Sequence, residues 1–271
     1  MKRVYLLPNV FIVSILLILL TKTTDPLMIG LYVLIGFLIS GVLLLLKLYI
    51  LGKYYLFLQK RGKTIDKETI YRIVHKYILF VNRILRMDIE VEGLEKIDPS
   101  QNYFITPNHQ SNADILVCIE TFKIPILFVS KISLSRVILI KDWMNLLDCS
   151  FLDKDDMRGQ VRMMRGVGEK LRAGKNVILF PEGHRTFDAH IDPFKPGAFK
   201  VAQKSKVPIL PVTLNDVYTL RLRYPWRRTK IKAYIHDPIP VEQFIDLPTS
   251  EIAEKVRGII ESKIEPQPYK K

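Results

Sequence analysis

Only two cysteines, Cys118 and Cys149, occur in the 271 residues. Two cannot build a disulfide framework, and neither sits in a metal-ligand spacing. Both follow apolar or structural stretches and read as small buried hydrophobes, which fits a reducing cytosolic setting. Zinc-finger, homeodomain and RNP-type patterns are absent as well, so the formal net charge of +14 has no nucleic-acid reader behind it. Acidic residues are scarce where apolar residues are dense. The first 63 positions hold eight Lys or Arg and a single Asp, whereas the other 208 hold 33 basic and 26 acidic side chains. Basic charge beside a long apolar region suits a surface facing anionic lipid. No internal repeat and no long disordered linker interrupts the chain; residues 265–271 read as a loose end.

Two uncharged stretches fill the N-terminal region. Val4 to Leu20 is broken only by Pro8, Asn9 and Ser14, and Leu27 to Leu46 runs twenty residues without a charge, about 30 Å as a helix. Between them Thr21 to Pro26 is a polar turn with a proline stop. A secretory signal is the competing reading, but no small-x-small cleavage site follows Leu20 and a second apolar segment comes at once. A helical hairpin over 1–63 is predicted. Its ends carry Lys2, Arg3, Lys47, Lys53, Lys60, Arg61 and Lys63, so the positive-inside tendency puts both ends, and the rest of the chain, on the cytoplasmic face of a cell membrane. Tyr49, Tyr54, Tyr55 and Phe57 among the lysines suit an interfacial collar. Gly30, Gly36 and Gly41 would allow close helix approach.

From residue 64 to 271 the pattern becomes that of an α/β domain. Helical spacing covers 65–85, 161–171 and roughly 250–264. Short strand patterns fall at 89–93, 103–106, 126–129, 176–180, 207–214 and 231–235. Strands alternating with helices predict one α/β layer fold.

Two clusters carry chemistry. In Asn108-His109-Gln110-Ser111-Asn112-Ala113-Asp114, His109 and Asp114 on one helix would point roughly 140° apart. Ser111 and Asp114, however, have the spacing of a helix-starting capping box. That start puts Asp114 in the first turn and leaves His109 on the loop leading in, able to fold back over the carboxylate. A carboxylate so placed fixes the imidazole tautomer and supports the imidazolium formed on taking a proton. Ser111 as a nucleophile is the rival chemistry; the cap explains it more simply. The second cluster, Phe180-Pro181-Glu182-Gly183-His184-Arg185-Thr186, directly follows a buried strand, where ligand groups collect. A Gly permitting close approach, beside a guanidinium and a hydroxyl, suits a phosphate. His109, His184 and His190 lack a metal-ligand spacing, so no metal is expected. Trp143, Trp226 and the cluster Arg221, Arg223, Arg227 and Arg228 read either as an interfacial basic surface or as a plain solvated face.

Taken together, these segments resemble the glycerolipid acyltransferase family, which includes 1-acylglycerol-3-phosphate acyltransferase. Asn108, His109, Ser111 and Asp114 match its first motif. Phe180, Pro181, Glu182, Gly183 and Arg185 match its Phe-Pro-Glu-Gly-Thr-Arg-Ser motif, with His184 and Thr186 substituted. Val207-Pro208-Ile209-Leu210-Pro211-Val212 is its fourth motif, and Phe194-Lys195-Pro196-Gly197 resembles its Phe-Lys-x-Gly run. The likeness spans roughly 88–240. The second motif departs: Ser133 stands for an acid, Asp148 for a Gly, and Lys154 for an Arg, which keeps the charge but loses the bidentate fork. The resemblance implies a mixed sheet flanked by helices, with His109 and Asp114 catalytic and no bound cofactor. It implies an acyl-CoA or acyl carrier protein thioester as donor and a lysophospholipid acceptor, by family default 1-acylglycerol-3-phosphate. Glu182, Gly183, Arg185 and Lys154 would serve the acceptor. Another lysophospholipid head group, or hydrolysis by the same His–Asp pair, are the alternatives.

Overall fold

The computed structural model describes residues 7–153 and 155–266; Lys2, Arg3, Lys154 and the last five residues lie outside them. In chain order the elements are α1 (Leu7–Thr21), α2 (Pro26–Lys60), α3 (Lys67–Ile84), β1 (Met87–Glu92), β2 (Phe104–Pro107), α4 (Asp114–Thr121), β3 (Ile126–Lys131), α5 (Ile138–Leu146), β4 (Ser150–Leu152), α6 (Met157–Arg172), β5 (Asn176–Ile178), α7 (Lys200–Ser205), β6 (Ile209–Asn215), α8 (Leu220–Arg223), β7 (Thr229–Ile235) and α9 (Thr249–Glu261). They form two compact units. One contains α1, α2 and α5; the other contains the sheet and the remaining helices.

In the first unit α1 folds back on α2, giving the expected hairpin. The reversal falls where the polar turn was read: Lys22 takes a left-handed φ of 51°. Asp25 then caps α2 by accepting from the Leu27 N–H at 2.9 Å, with Pro26 in the first helical position. Ser14, Tyr32, Gly36 and Ser40 are buried, whereas Ile15, Leu16, Leu19, Leu20, Leu27, Leu34 and Leu38 are exposed. This inverts the pattern of a water-soluble helix pair. A Cβ added at Gly30 or Gly41 would meet nothing within 4 Å among the described residues, so neither glycine marks a close approach there. Helix α2 does not end near Leu46 but continues to Lys60, and its 35 residues extend roughly 50 Å. It is the one described helix long and apolar enough, by length and composition, to cross a membrane. Helix α5, an element not read from the sequence, packs on its far portion. The Trp143 ring lies 3.4 Å from where a Gly52 Cβ would sit, and Lys53 Nζ pairs with Asp142 Oδ2 at 2.8 Å.

The second unit is built on a seven-stranded sheet in the order β1-β7-β6-β2-β5-β3-β4. Every pairing is parallel except β6 with β7, so the sheet is mixed, as expected. All residues of β2, β5 and β6 are buried, as central strands covered on both faces must be. Edge strand β1 alternates between half-buried and exposed. Helices α6, α7 and α9 pack on Phe104, Leu127, Val177 and Ile209, with Phe199 meeting Phe104 edge-to-face at 6.4 Å. Helix α3 packs on α4, and the Tyr71 hydroxyl donates to the Phe122 carbonyl at 2.7 Å. Cys118 and Cys149 are both buried and unpaired. The three-residue β4 escaped the sequence reading because so short a segment has no periodicity to detect. Asp148, in the position of the resembled family's Gly, does adopt a left-handed φ of 63°. Its carboxylate meets Lys170 at 3.3 Å and Lys175 at 2.9 Å; Asp also tolerates that region better than most residues.

Phe199 is fully buried between Phe104 and Phe194. Phe199→Ala is expected to destabilise the second unit by about 3–5 kcal/mol, read from the shift of its urea unfolding midpoint.

Candidate active site

Three neighbouring parallel or central strands deliver the site from their C-terminal ends. Strand β2 runs out at Pro107 into Asn108 and His109. Strand β5 leads into Phe180 to Thr186, and β6 into Asp216 and Val217. Asn108 stitches the first loop to β6: its amide accepts from the Leu214 N–H at 2.7 Å and donates to the Leu214 carbonyl at 3.0 Å. In effect the side chain extends the ladder by one rung past the proline. Gln110 makes the corresponding tie to the β6 loop, accepting from Val217 N at 3.1 Å.

Asp114 is fully buried. Its Oδ2 accepts from the Gln110 N–H at 2.7 Å and the Ser111 N–H at 2.8 Å and lies 2.6 Å from His109 Nδ1. Burial pushes its pKa above the ordinary carboxylate value, and the His109 contact and the two backbone donors oppose that push. With Asp114 ionised, this contact favours the tautomer that bears its proton on Nδ1 and leaves the lone pair on Nε2. Among the described residues nothing hydrogen-bonds Nε2, and the imidazole keeps 16% of its surface exposed. Phe180 stacks on the ring at 4.1 Å between centroids, 23° from parallel.

The predicted geometry of the helix start needs one correction. Ser111 is not the cap. Helix α4 begins at Asp114 after Ala113, and no side-chain hydrogen bond caps it. The Ser111 hydroxyl accepts from the Ala113 N–H at 3.3 Å instead. Only the reciprocal half of the capping box is present, the acid reaching back to the Ser111 N–H. The physical reason lies in the extra turn at 111–114, closed by Asp114 N to the Ser111 carbonyl at 3.4 Å. It carries the hydroxyl out of reach of the helix's free amides while bringing the carboxylate under His109.

The second cluster encloses the first. The Glu182 Oε1 accepts from the His109 N–H at 2.6 Å, and its Oε2 from the Asp192 N–H at 3.0 Å. Thr186 N donates to the His109 carbonyl at 3.0 Å and Phe187 N to that of Gln110 at 3.2 Å. Glu182 is thus turned inward, 1% exposed, with both oxygens engaged by backbone. Burial raises its pKa to about 7 despite those two donors. Gly183 has φ 73°, a conformation that favours glycine, and an added Cβ would lie 2.7 Å from Lys195 Nζ. Arg185 is exposed; it donates to the Asn112 side-chain oxygen and lies 5.2 Å from the Phe187 ring centre. His184 and His190 flank Asp192, at 2.6 and 3.3 Å. Asn112 and Phe187 were given no role by sequence reasoning, and Phe180 only a place in a motif, since each acts through a partner some seventy residues distant or across a loop. Lys154 lies outside the described residues.

A base held on a buried carboxylate, at the carboxyl ends of central strands, defines a site able to remove a proton from a bound nucleophile. Residues 88–215 match the protein-family model described as Acyltransferase. The probable 1-acyl-sn-glycerol-3-phosphate acyltransferase of Mycoplasma genitalium is 36% identical over 145 residues, covering 49% of this chain and 54% of that protein. The 1-acyl-sn-glycerol-3-phosphate acyltransferase of Saccharomyces cerevisiae is 31% identical over 179 residues, covering 64% and 59%. The chain thus spans little more than half the length of these relatives. The crystal structure of the 1-acyl-sn-glycerophosphate (LPA) acyltransferase from Thermotoga maritima is similar with a TM-score of 0.61 at 28% identity, over 83% of this chain and 95% of that one.

Glu182 gives a pH signature. Its proton is held more tightly in the folded protein, so its contribution to stability is fully present below the unfolded value near 4.5 and is lost as pH rises through about 7. The stability of the wild-type chain relative to Glu182→Gln should therefore fall by about 3 kcal/mol between those limits. Paired denaturation curves across pH measure this; a constant difference would contradict it.

Proposed function

We propose that the chain is a membrane-anchored O-acyltransferase moving a fatty acyl group from a thioester of coenzyme A or acyl carrier protein to the free hydroxyl of a lysophospholipid. The acceptor in this reading is 1-acylglycerol-3-phosphate and the product phosphatidic acid. The observation that carries it is His109, whose Nδ1 lies 2.6 Å from buried Asp114 while Nε2 stays open among the described residues, within the stretch that matches the Acyltransferase family model. The names of the relatives supply the acceptor.

In this mechanism His109 Nε2 takes the proton of the acceptor hydroxyl as its oxygen attacks the thioester carbonyl carbon. The carbon–sulfur bond breaks, and the imidazolium returns the proton to the departing thiolate. Asp114 holds the Nδ1–H tautomer and offsets the charge on the ring. Phe180 fixes the plane of the ring. Glu182 acts one step back, bracing the His109 backbone. Arg185 is aimed by Asn112 and Phe187, which leaves guanidinium donors for the acceptor phosphate. Gly183 keeps the chain low beside it, and Lys154 is a further cation for the same head group. No cofactor enters the reaction. The apolar faces of α1 and α2 anchor residues 1–63 in the bilayer. In this reading the positive-inside tendency of Lys47, Lys53, Lys60, Arg61 and Lys63 supports a catalytic domain on the cytoplasmic face.

His109→Ala should lower acyl transfer by about 10²–10⁴-fold without loss of fold, followed as phosphatidic acid formed from 1-acylglycerol-3-phosphate and one thioester; retained turnover would sink the assignment. Arg185→Ala should instead raise KM for the phosphorylated acceptor, leaving KM for the thioester little changed. A panel of lysolipids tests the acceptor: equal use of uncharged head groups contradicts a phosphate site.

A further inference from the structure

We infer that the stretch from Leu220 to Lys230, together with Phe187, is a second membrane-contact surface that seats on anionic lipid. The stretch begins with the single turn of α8 and carries Arg221, Arg223, Arg227, Arg228 and Lys230; no acidic residue occurs from 217 to 236. Its large apolar side chains face outward. Trp226 is 85% exposed and Leu222 60%, and Tyr224 is exposed beside them. Arg221, Arg227 and Arg228 are exposed in the same stretch.

This outward display is held in place. Thr219 Oγ1 donates to the Asp216 carbonyl at 2.7 Å, Tyr224 N to the Leu220 carbonyl at 3.0 Å, and Arg227 N to the Arg223 carbonyl at 2.8 Å. Such a braced turn could bury its tryptophan and does not. The patch also adjoins the candidate active site. Arg221 lies 5.4 Å from the Phe187 ring centre, which Arg185 approaches from 5.2 Å, and Arg221 donates to the Phe187 carbonyl at 3.4 Å.

Trp and Tyr among arginines is the composition of a bilayer interface, where amphipathic rings sit at head-group depth. The exposed Arg221, Arg227, Arg228 and Lys230 are complementary to anionic head groups. Seating here would hold the rim of the site against the layer in which a lipid acceptor lies. The inference extends the proposed function by assigning a lipid contact to the catalytic domain itself, in addition to the hairpin.

The chain has two tryptophans, so Trp143→Phe in the full chain leaves Trp226 as the only one. Its emission is read in vesicles of phosphatidylcholine alone and of phosphatidylcholine with phosphatidylglycerol, each with brominated acyl chains as quencher. Flotation of the vesicles confirms that the chain is bound. The expected result is a blue shift and several-fold stronger quenching in the anionic vesicles, abolished by the double substitution Arg227→Glu and Arg228→Glu. Emission as in water, unquenched on a chain that floats with the vesicles, overturns the inference. So does quenching equal in both lipids and indifferent to the charge reversal. A signal that follows chain concentration rather than lipid overturns it too, by assigning the patch to a second copy. None of these readings depends on catalysis, so failure here leaves the proposed reaction standing.

Discussion

One oxygen atom organises the candidate site. Asp114 Oδ2 draws an imidazole and two consecutive backbone amides onto itself, and that convergence decides the path of the chain between β2 and α4. Burial this complete disfavours the charge; the imidazole and the two backbone N–H groups on one oxygen oppose that push. Ionisation, tautomer and loop shape are therefore a single linked event. If the carboxylate were neutral, the reason for Nδ1 to hold its proton would go, and with it the lone pair on Nε2.

The second constraint is that the loop bearing His109 has almost no regular structure of its own. It is held from outside. Asn108 is tied to β6, Gln110 to the turn after β6, and the His109 peptide is clamped between Glu182 and Thr186 from the loop after β5. Neighbouring parallel strands make this possible, because their C-terminal ends open on the same side of the sheet. The two motifs lie seventy residues apart in sequence because a whole β–α–β passage separates adjacent strands.

Much of this was legible in the sequence, and the reasons differ by element. Strands β2, β5 and β6 are central, so their apolar runs and the breaks after them were readable, as was α6 from its spacing. Strand β4 and helix α5 were not, being three and nine residues long and dependent on partners far along the chain. Within the site, the pairing of His109 with Asp114 followed from the expectation that a helix starts near Ser111. The details of that start did not: whether a serine hydroxyl or a carboxylate satisfies the amides rests on a fraction of a turn. The inward turn of Glu182 was also hidden. A motif fixes which acid stands at a position, not whether it faces a ligand or the backbone behind it.

Helix α5 carries a last consequence. It belongs to the first unit although its residues, Ile138–Leu146, lie deep within the stretch that builds the sheet. There Trp143 rests on Gly52, and Asp142, nearly buried, is paired with Lys53. The N-terminal helices are consequently not a separate piece that can be cut away. A chain shortened to remove its N-terminal helices would keep α5 but strip it of its support, leaving a tryptophan face uncovered and an aspartate without its cation. Solubility sought by truncation would be worked against by the very helix that remains.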